Sequence, residues 1–387
     1  MFGPPLKRDV AGLRDAYLES ASRAEGHANF GSLDFLEPFD IMLADLVRRG
    51  ELTAFGQLLA RYFLKHALRM RLKIQKGGAA ANTLKRPVFI LGLPRTGTTI
   101  LHELLSLHPD LRAPTFHESH HYPHDGWRDE PAKAITHVQL FCVDTLAPTF
   151  KRVHELKAHG PHECVSIQGY AFRSMHFHVA FRLPLYNQFM LSDFDWAPAY
   201  KLHNQYLSQL SNPGDRWILK APGHMLGLQG LLEQYPDALF IQTHRNPLEV
   251  IPSMASLTQS LRGMASRTIN TREIGHDVNR LWHKGISNVL ALRQSDTEID
   301  KRFLDLDFSE LTSEPAAALP KIAAFLGLEM TEQYKQDLRS HLAENRRHKH
   351  GVHKYSLEQF GLNAKDLDPM YEEYNRTYLE REPKTLS

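Results

Sequence analysis

The apolar positions of this chain change period several times, and each change marks an element. Residues 12–76 repeat at helical spacing: Phe35, Phe39, Leu43 and Leu46 share one face ahead of Gly50, and positions 55, 58, 59, 62, 63, 64 and 68 carry the pattern through 54–76. A flexible connector, GGAAAN, follows at 77–82. Val88-Phe89-Ile90-Leu91 is then a continuous apolar run, as a strand buried on both faces requires. Ile100, Leu101, Leu104, Leu105 and Leu107 return to helical spacing and stop at Pro109.

The alternation continues downstream. Arg216–His224 predicts a short second strand ending at Lys220, Leu226–Tyr235 a helix, and Ala238–His244 a third strand. Asn246 is a natural N-cap and Pro247 a natural first helical residue. Arg272–Gln294 predicts an amphipathic helix, Lys301–Phe308 a strand, and Glu314–Leu326 a helix between Pro315 and Gly327. Residues 135–200 are aromatic-rich and irregular; they read as helical excursions lining an acceptor pocket, or as ordinary core. Strands alternating with helices predict an α/β architecture with a central, mainly parallel sheet covered on both faces. The expected division is an N-terminal helical segment, 1–84, packed on an α/β domain, 85–387. No internal repeat is present.

Composition narrows the class. Hydrophobic residues make up 42% and charged residues 23% of 387, the balance of a soluble globular protein. The formal charge of +2 is too even to imply nucleic-acid binding. Two cysteines, Cys142 and Cys164, argue for a reducing compartment. The opening MFGPPLKRDVAGLRDAYLES lacks the apolar core of a leader, and no run reaches the roughly 20 apolar residues of a membrane helix. The expectation is cytoplasmic.

The candidate chemistry gathers at strand ends. Gly92-Leu-Pro-Arg-Thr-Gly-Thr-Thr99 joins the first strand to its helix with the glycine spacing of a Walker A loop, but Thr98 stands where the lysine belongs. Such a loop grips a phosphate or sulfate through backbone N–H groups and a helix dipole. Without the lysine it is poorly equipped for triphosphate chemistry. Glu118, just beyond the loop helix, is a candidate to take a proton from an acceptor hydroxyl, or a plain capping glutamate. His117, His120, His121 and His124 have spacings that could suit zinc, but Pro114 and Pro123 preclude a long helix and no cysteine is near, so no metal is expected. Lys220 ends the second strand, where open α/β sheets place their chemistry. Arg245 and a hydroxyl two turns into the next helix can converge on a further anion. The basic loop Arg346–Gly351, with Lys349, is suited to close over an anionic cofactor, or is a solvated charge run.

Pro94–Thr99, Trp217–Pro222 and His244–Ser253 together resemble sulfotransferases that use 3′-phosphoadenosine-5′-phosphosulfate (PAPS), in the bacterial-type branch akin to tyrosylprotein and carbohydrate enzymes. Phe308–Gly327 and His353–Leu362 extend the resemblance more weakly. It implies a three-layer sandwich like that of P-loop nucleotide kinases. It implies that Arg95, Thr96, Gly97, Thr98 and Thr99 bind the 5′-phosphosulfate, and that Arg245 and Ser253 hold the 3′-phosphate. It puts Glu118 in the place of the base and Lys220 in that of the residue assisting transfer, with His117 and His162 as alternative bases. Phe308 stands where the family often has tyrosine. The implied reaction is metal-free, in-line sulfuryl transfer to a small-molecule, carbohydrate or phenolic hydroxyl. A nucleotide kinase or NTPase and a non-catalytic binding module are the competing readings, and a homo-oligomer is compatible with all three.

Overall fold

The computed structural model describes residues 9–48, 51–79, 84–122, 157–192, 194–344 and 355–380. Three helices lead: α1 (Val10–Glu25), α2 (Leu36–Arg48) and α3 (Ala54–Lys76). Asp9 caps α1 and Thr53 caps α3, each accepting from a backbone N–H three residues on. A four-stranded sheet follows, built from β1 (Val88–Gly92), β2 (Ile218–Lys220), β3 (Leu239–His244) and β4 (Phe303–Asp307). Its order is β2-β1-β3-β4 and every pairing is parallel.

The strands separate two apolar layers by their period of two. Val88, Ile90, Ile218 and Ile241 face Leu101, Leu104 and Leu105 of α4 (Thr98–Ser106), with Leu319 and Ile322 beyond. Phe89, Leu91, Leu219 and Phe240 face the other way, into a core that also holds Phe35, just before α2, Phe39 of α2, and Leu64 and Leu68 of α3. Both faces are covered, which is why β1 reads as an unbroken apolar run rather than an alternation.

Two expectations change in detail. The predicted helix Glu314–Leu326 is instead a short helix at Phe308–Ser313 and another at Leu319–Leu326. Glu314 lies outside the helical region at φ −138° and ψ 81°, because Pro315 disfavours α geometry in the residue before it. The stretch after α4 meets the sheet at the Arg112–Trp217 bridge, beside β2, and then turns into α5 (Phe116–His120). His124, Cys142 and the whole basic loop Arg346–Gly351, with Lys349, lie outside the described residues.

Candidate functional site

The loop after β1 is shaped by three left-handed residues: Gly92 at φ 134°, Arg95 at φ 67° and Gly97 at φ 84°. A Cβ on Gly92 would come within 2.3 Å of Thr243 Oγ1, so only glycine lets the loop lie against β3. The Thr96 hydroxyl donates inward to Leu93 O at 2.5 Å and shares a 2.6 Å bond with Thr243 Oγ1. Its side chain therefore fixes the loop instead of facing outward. Gly97 caps α4 with no side-chain bond, as do the residues before several other helices, but here the left-handed loop and Lys220 border the open helix start. The first N–H groups of α4 are thus arranged for an anion rather than an internal cap.

Lys220, at the carboxyl end of β2, reaches this helix start. Its side chain is 2% exposed, donates to Thr99 Oγ1 at 3.3 Å and pairs with Glu163. Glu163 is held there by its chain neighbour, since Cys164 N donates to Lys220 O at 2.9 Å. Burial pushes the Cys164 thiol up to about 12, so it is no nucleophile at neutral pH. His102, on α4 beside the strand, is lowered to about 3 by burial and then by the Lys220 charge, and stays neutral. A cation and a carboxylate thus meet at the lip of the anion loop.

Glu118 is engaged elsewhere. It completes a capping box on α5, with Oε2 accepting from Thr115 N at 2.9 Å, while Oε1 pairs with Arg112 at 2.8 Å. Arg112 continues to Asp215 and lies over the Trp217 ring. His117 stacks on His121 with ring centres 5.2 Å apart. His120 and His162 both meet Ser166 Oγ, at 3.4 and 3.0 Å, and His162 immediately precedes Glu163 in the chain. Burial lowers His120 to about 4. Among the described residues no group of three or more His, Cys, Asp or Glu side chains could hold a metal ion.

Arg245 leaves β3 across the loop from Lys220. It donates to Arg95 O at 2.9 Å, pairs with Glu249 and lies 4.2 Å above the Phe308 ring. Asn246 caps the helix Pro247–Ala265, which carries Ser253 in a buried position two turns on. Behind Arg245, His244 bonds Asp305 at 2.8 Å and Tyr374 at 3.1 Å, and Arg293 grips Asp305 with two bonds. Burial alone would raise the Asp305 pKa, but Arg293 and His244 overcome it and hold the carboxyl well below its usual range. Tyr355, from the tail, and Arg245 are the electrostatic neighbours of Arg95.

The structure therefore gathers Arg95, Gly97, Thr98, Thr99, Lys220 and Arg245 around one strand-end region. The sequence reading passed over Glu163. Its only local signal is a carboxylate after His159-Gly-Pro-His162, and its place beside Lys220 depends on a contact 57 residues distant in sequence.

The family model described as "Sulfotransferase family" matches residues 87–332. Omega-hydroxy-beta-dihydromenaquinone-9 sulfotransferase Stf3 of Mycobacterium bovis is 27% identical over 339 residues, covering 81% of this chain and 82% of the relative. The crystal structure of sulfotransferase STF1 from Mycobacterium tuberculosis H37Rv superposes with a TM-score of 0.79 at 27% identity, covering 94% of this chain and 99% of that one. STF9 from Mycobacterium avium shares the fold, with a TM-score of 0.82 at 22% identity, over 94% and 96% of the two chains.

Proposed function

This chain belongs to the sulfotransferase family and is an enzyme of sulfuryl transfer, and we propose that its donor is PAPS and its acceptor a hydroxyl on a largely apolar molecule. One observation carries the donor reading: the uncapped start of α4 opens onto Lys220, which is shared between Thr99 and Glu163. PAPS supplies an activated sulfuryl group on a phosphate that leaves as a dianion.

The N–H groups at Gly97, Thr98 and Thr99 and the Thr98 and Thr99 hydroxyls hold the 5′-phosphosulfate, with Arg95 beside them. Thr96 serves through its backbone, since its hydroxyl is used inside the loop. Arg245 and Ser253 hold the 3′-phosphate, and the arginine is oriented by Phe308 and Glu249 before any ligand arrives. We assign the base to Glu163 in preference to Glu118, His117 or His162. Both oxygens of Glu118 serve the α5 cap and Arg112, while Glu163 already faces Lys220. Glu163 takes the acceptor's proton as its oxygen bonds to sulfur and the S–O bond to the phosphate breaks. Lys220 turns from Glu163 toward the sulfuryl oxygens and the leaving phosphate. The same move releases the carboxylate, so donor binding prepares the base.

The apolar acceptor is supported by the relative whose name gives a hydroxylated dihydromenaquinone. It is also supported by the rings around His162, the residue before Glu163, where His120 stacks on Phe116 at 4.1 Å and meets His162 at 5.0 Å.

Thermal unfolding with 3′-phosphoadenosine-5′-phosphate (PAP), AMP and ATP–magnesium tests the donor. PAP at 100 times its dissociation constant should add about 2.7 kcal/mol, and Arg245→Ala should abolish the shift. A shift with ATP–magnesium and none with PAP would overturn the PAPS reading in favour of a kinase or NTPase.

A further inference from the structure

Helix α3 carries a surface pattern that the proposed reaction does not use. Phe55, Leu58, Tyr62, Lys65, Arg69, Lys73 and Lys76 follow one another at steps of three or four residues, so they form a single stripe along the helix. The stripe has two halves. Its first half is apolar and aromatic, with Phe55 38%, Leu58 39% and Tyr62 45% exposed. Its second half is cationic, with Lys76 exposed, the Arg69 side chain 41% exposed, Lys65 half-buried and the Lys73 side chain 17% exposed. The opposite side of α3 packs into the core through Ala60, Leu64, Ala67, Leu68 and Ile74. Six basic residues and no acidic one lie on this helix, in a chain whose formal charge is only +2. Glu25 pairs with Arg69 and approaches Lys73 at 4.0 Å.

An exposed apolar stripe continuing into cations on one helix complements a surface that offers hydrocarbon and anionic headgroups together. The stripe is also continuous with the candidate site. Tyr62 stacks on His66 at 5.6 Å, His66 lies nearly parallel to His120 at 6.2 Å, and His120 meets His162, the residue before Glu163.

We propose that the exposed stripe of α3 docks the protein on an anionic lipid surface, its apolar half entering the interface and its cationic half resting on the headgroups. Docking there sets the Tyr62–His66–His120 stack, and Glu163 behind it, toward an apolar acceptor dissolved in the lipid. The link to the acceptor rests on the sulfotransferase reading; the docking itself does not.

The test is co-sedimentation of the full chain with vesicles of phosphatidylcholine, alone or mixed in equal parts with phosphatidylglycerol. The chain should pellet with the anionic vesicles, release as salt is raised, and stay in solution with the neutral ones. Lys65→Glu with Lys76→Glu should reduce the bound-to-free ratio roughly tenfold or more. Phe55→Ser with Leu58→Ser should reduce it similarly, even at low salt. The PAP-dependent thermal shift, measured on each variant, reports folding and the donor site separately from docking. Failure to bind anionic vesicles, or equal binding by all variants, overturns the proposal. So does a concentration-dependent dimer that Leu58→Ser dissolves without vesicle binding, since the stripe would then belong to a second copy.

Discussion

Two glutamates lie near the loop, and their partners decide their roles. Glu118 accepts from Thr115 N and pairs with Arg112, which makes it a fixture of α5. Glu163 faces Lys220 at the lip of the anion loop. Glu163→Gln is expected to lower kcat about a hundred- to a thousand-fold, and Lys220→Ala similarly, while the PAP-dependent thermal shift of Glu163→Gln persists. Glu118→Gln should instead cost about 1 kcal/mol of stability in a denaturant titration and leave kcat within a few-fold. The opposite ranking of the two glutamates in steady-state kinetics would return the base to Glu118. From the sequence alone the two were not equal, because Glu118 follows the loop helix closely and Glu163 sits in an irregular stretch. Proximity in the chain pointed to Glu118, whereas the Cys164–Lys220 backbone bond joins distant segments and brings Glu163 to Lys220.

At the level of elements, the proposed site consists of strand ends and helix starts. β1 and α4 supply the loop, β2 supplies Lys220, and β3 with its following helix supplies Arg245 and Ser253. These pieces were legible because each carries its own local signal: an apolar run, a glycine spacing, or an Asn-Pro helix start. The Phe308 contact was not. Phe308 opens the helix after β4, and its ring lies 4.2 Å beneath the Arg245 guanidinium. The ring supplies no hydroxyl but orients the cation. Phe308→Leu should remove about 0.5–1 kcal/mol of that attraction and weaken PAP binding by a few-fold in titration calorimetry. Unchanged PAP affinity would mean that Glu249 and the Arg95 carbonyl orient Arg245 unaided.

Across the whole molecule, many of the 23 histidines are packed inside rather than displayed. Burial lowers His120 and His176 to about 4 and His102 and His203 to about 3, and holds His66, His178 and His224 well below the usual value. Each is neutral when folded and takes up a proton near pH 6.5 when unfolded. Their contribution is therefore complete above that pH and is lost as pH falls toward 4 and then 3, at up to about 1.4 kcal/mol per pH unit for each group. Chemical denaturation between pH 7 and pH 4.5 should show a steep loss of stability. A flat profile would mean that these imidazoles are solvated in the native protein.

No helix among the described residues is long and apolar enough to cross a membrane. The proposed lipid contact is therefore a face of α3, and its stripe was already written in the sequence as basic residues following apolar ones. What the sequence determined by itself was whatever acts over short range: the strand runs, the left-handed glycines of the loop, the capped helices, and the residue types at strand ends. Tertiary structure decided which of those groups meet. It turned the Thr96 hydroxyl inward to Thr243, set Glu163 rather than Glu118 beside Lys220, and laid Arg245 on Phe308. Backbone geometry and side-chain period are local properties, whereas a pair of charges is defined by a distance that only the packed sheet fixes.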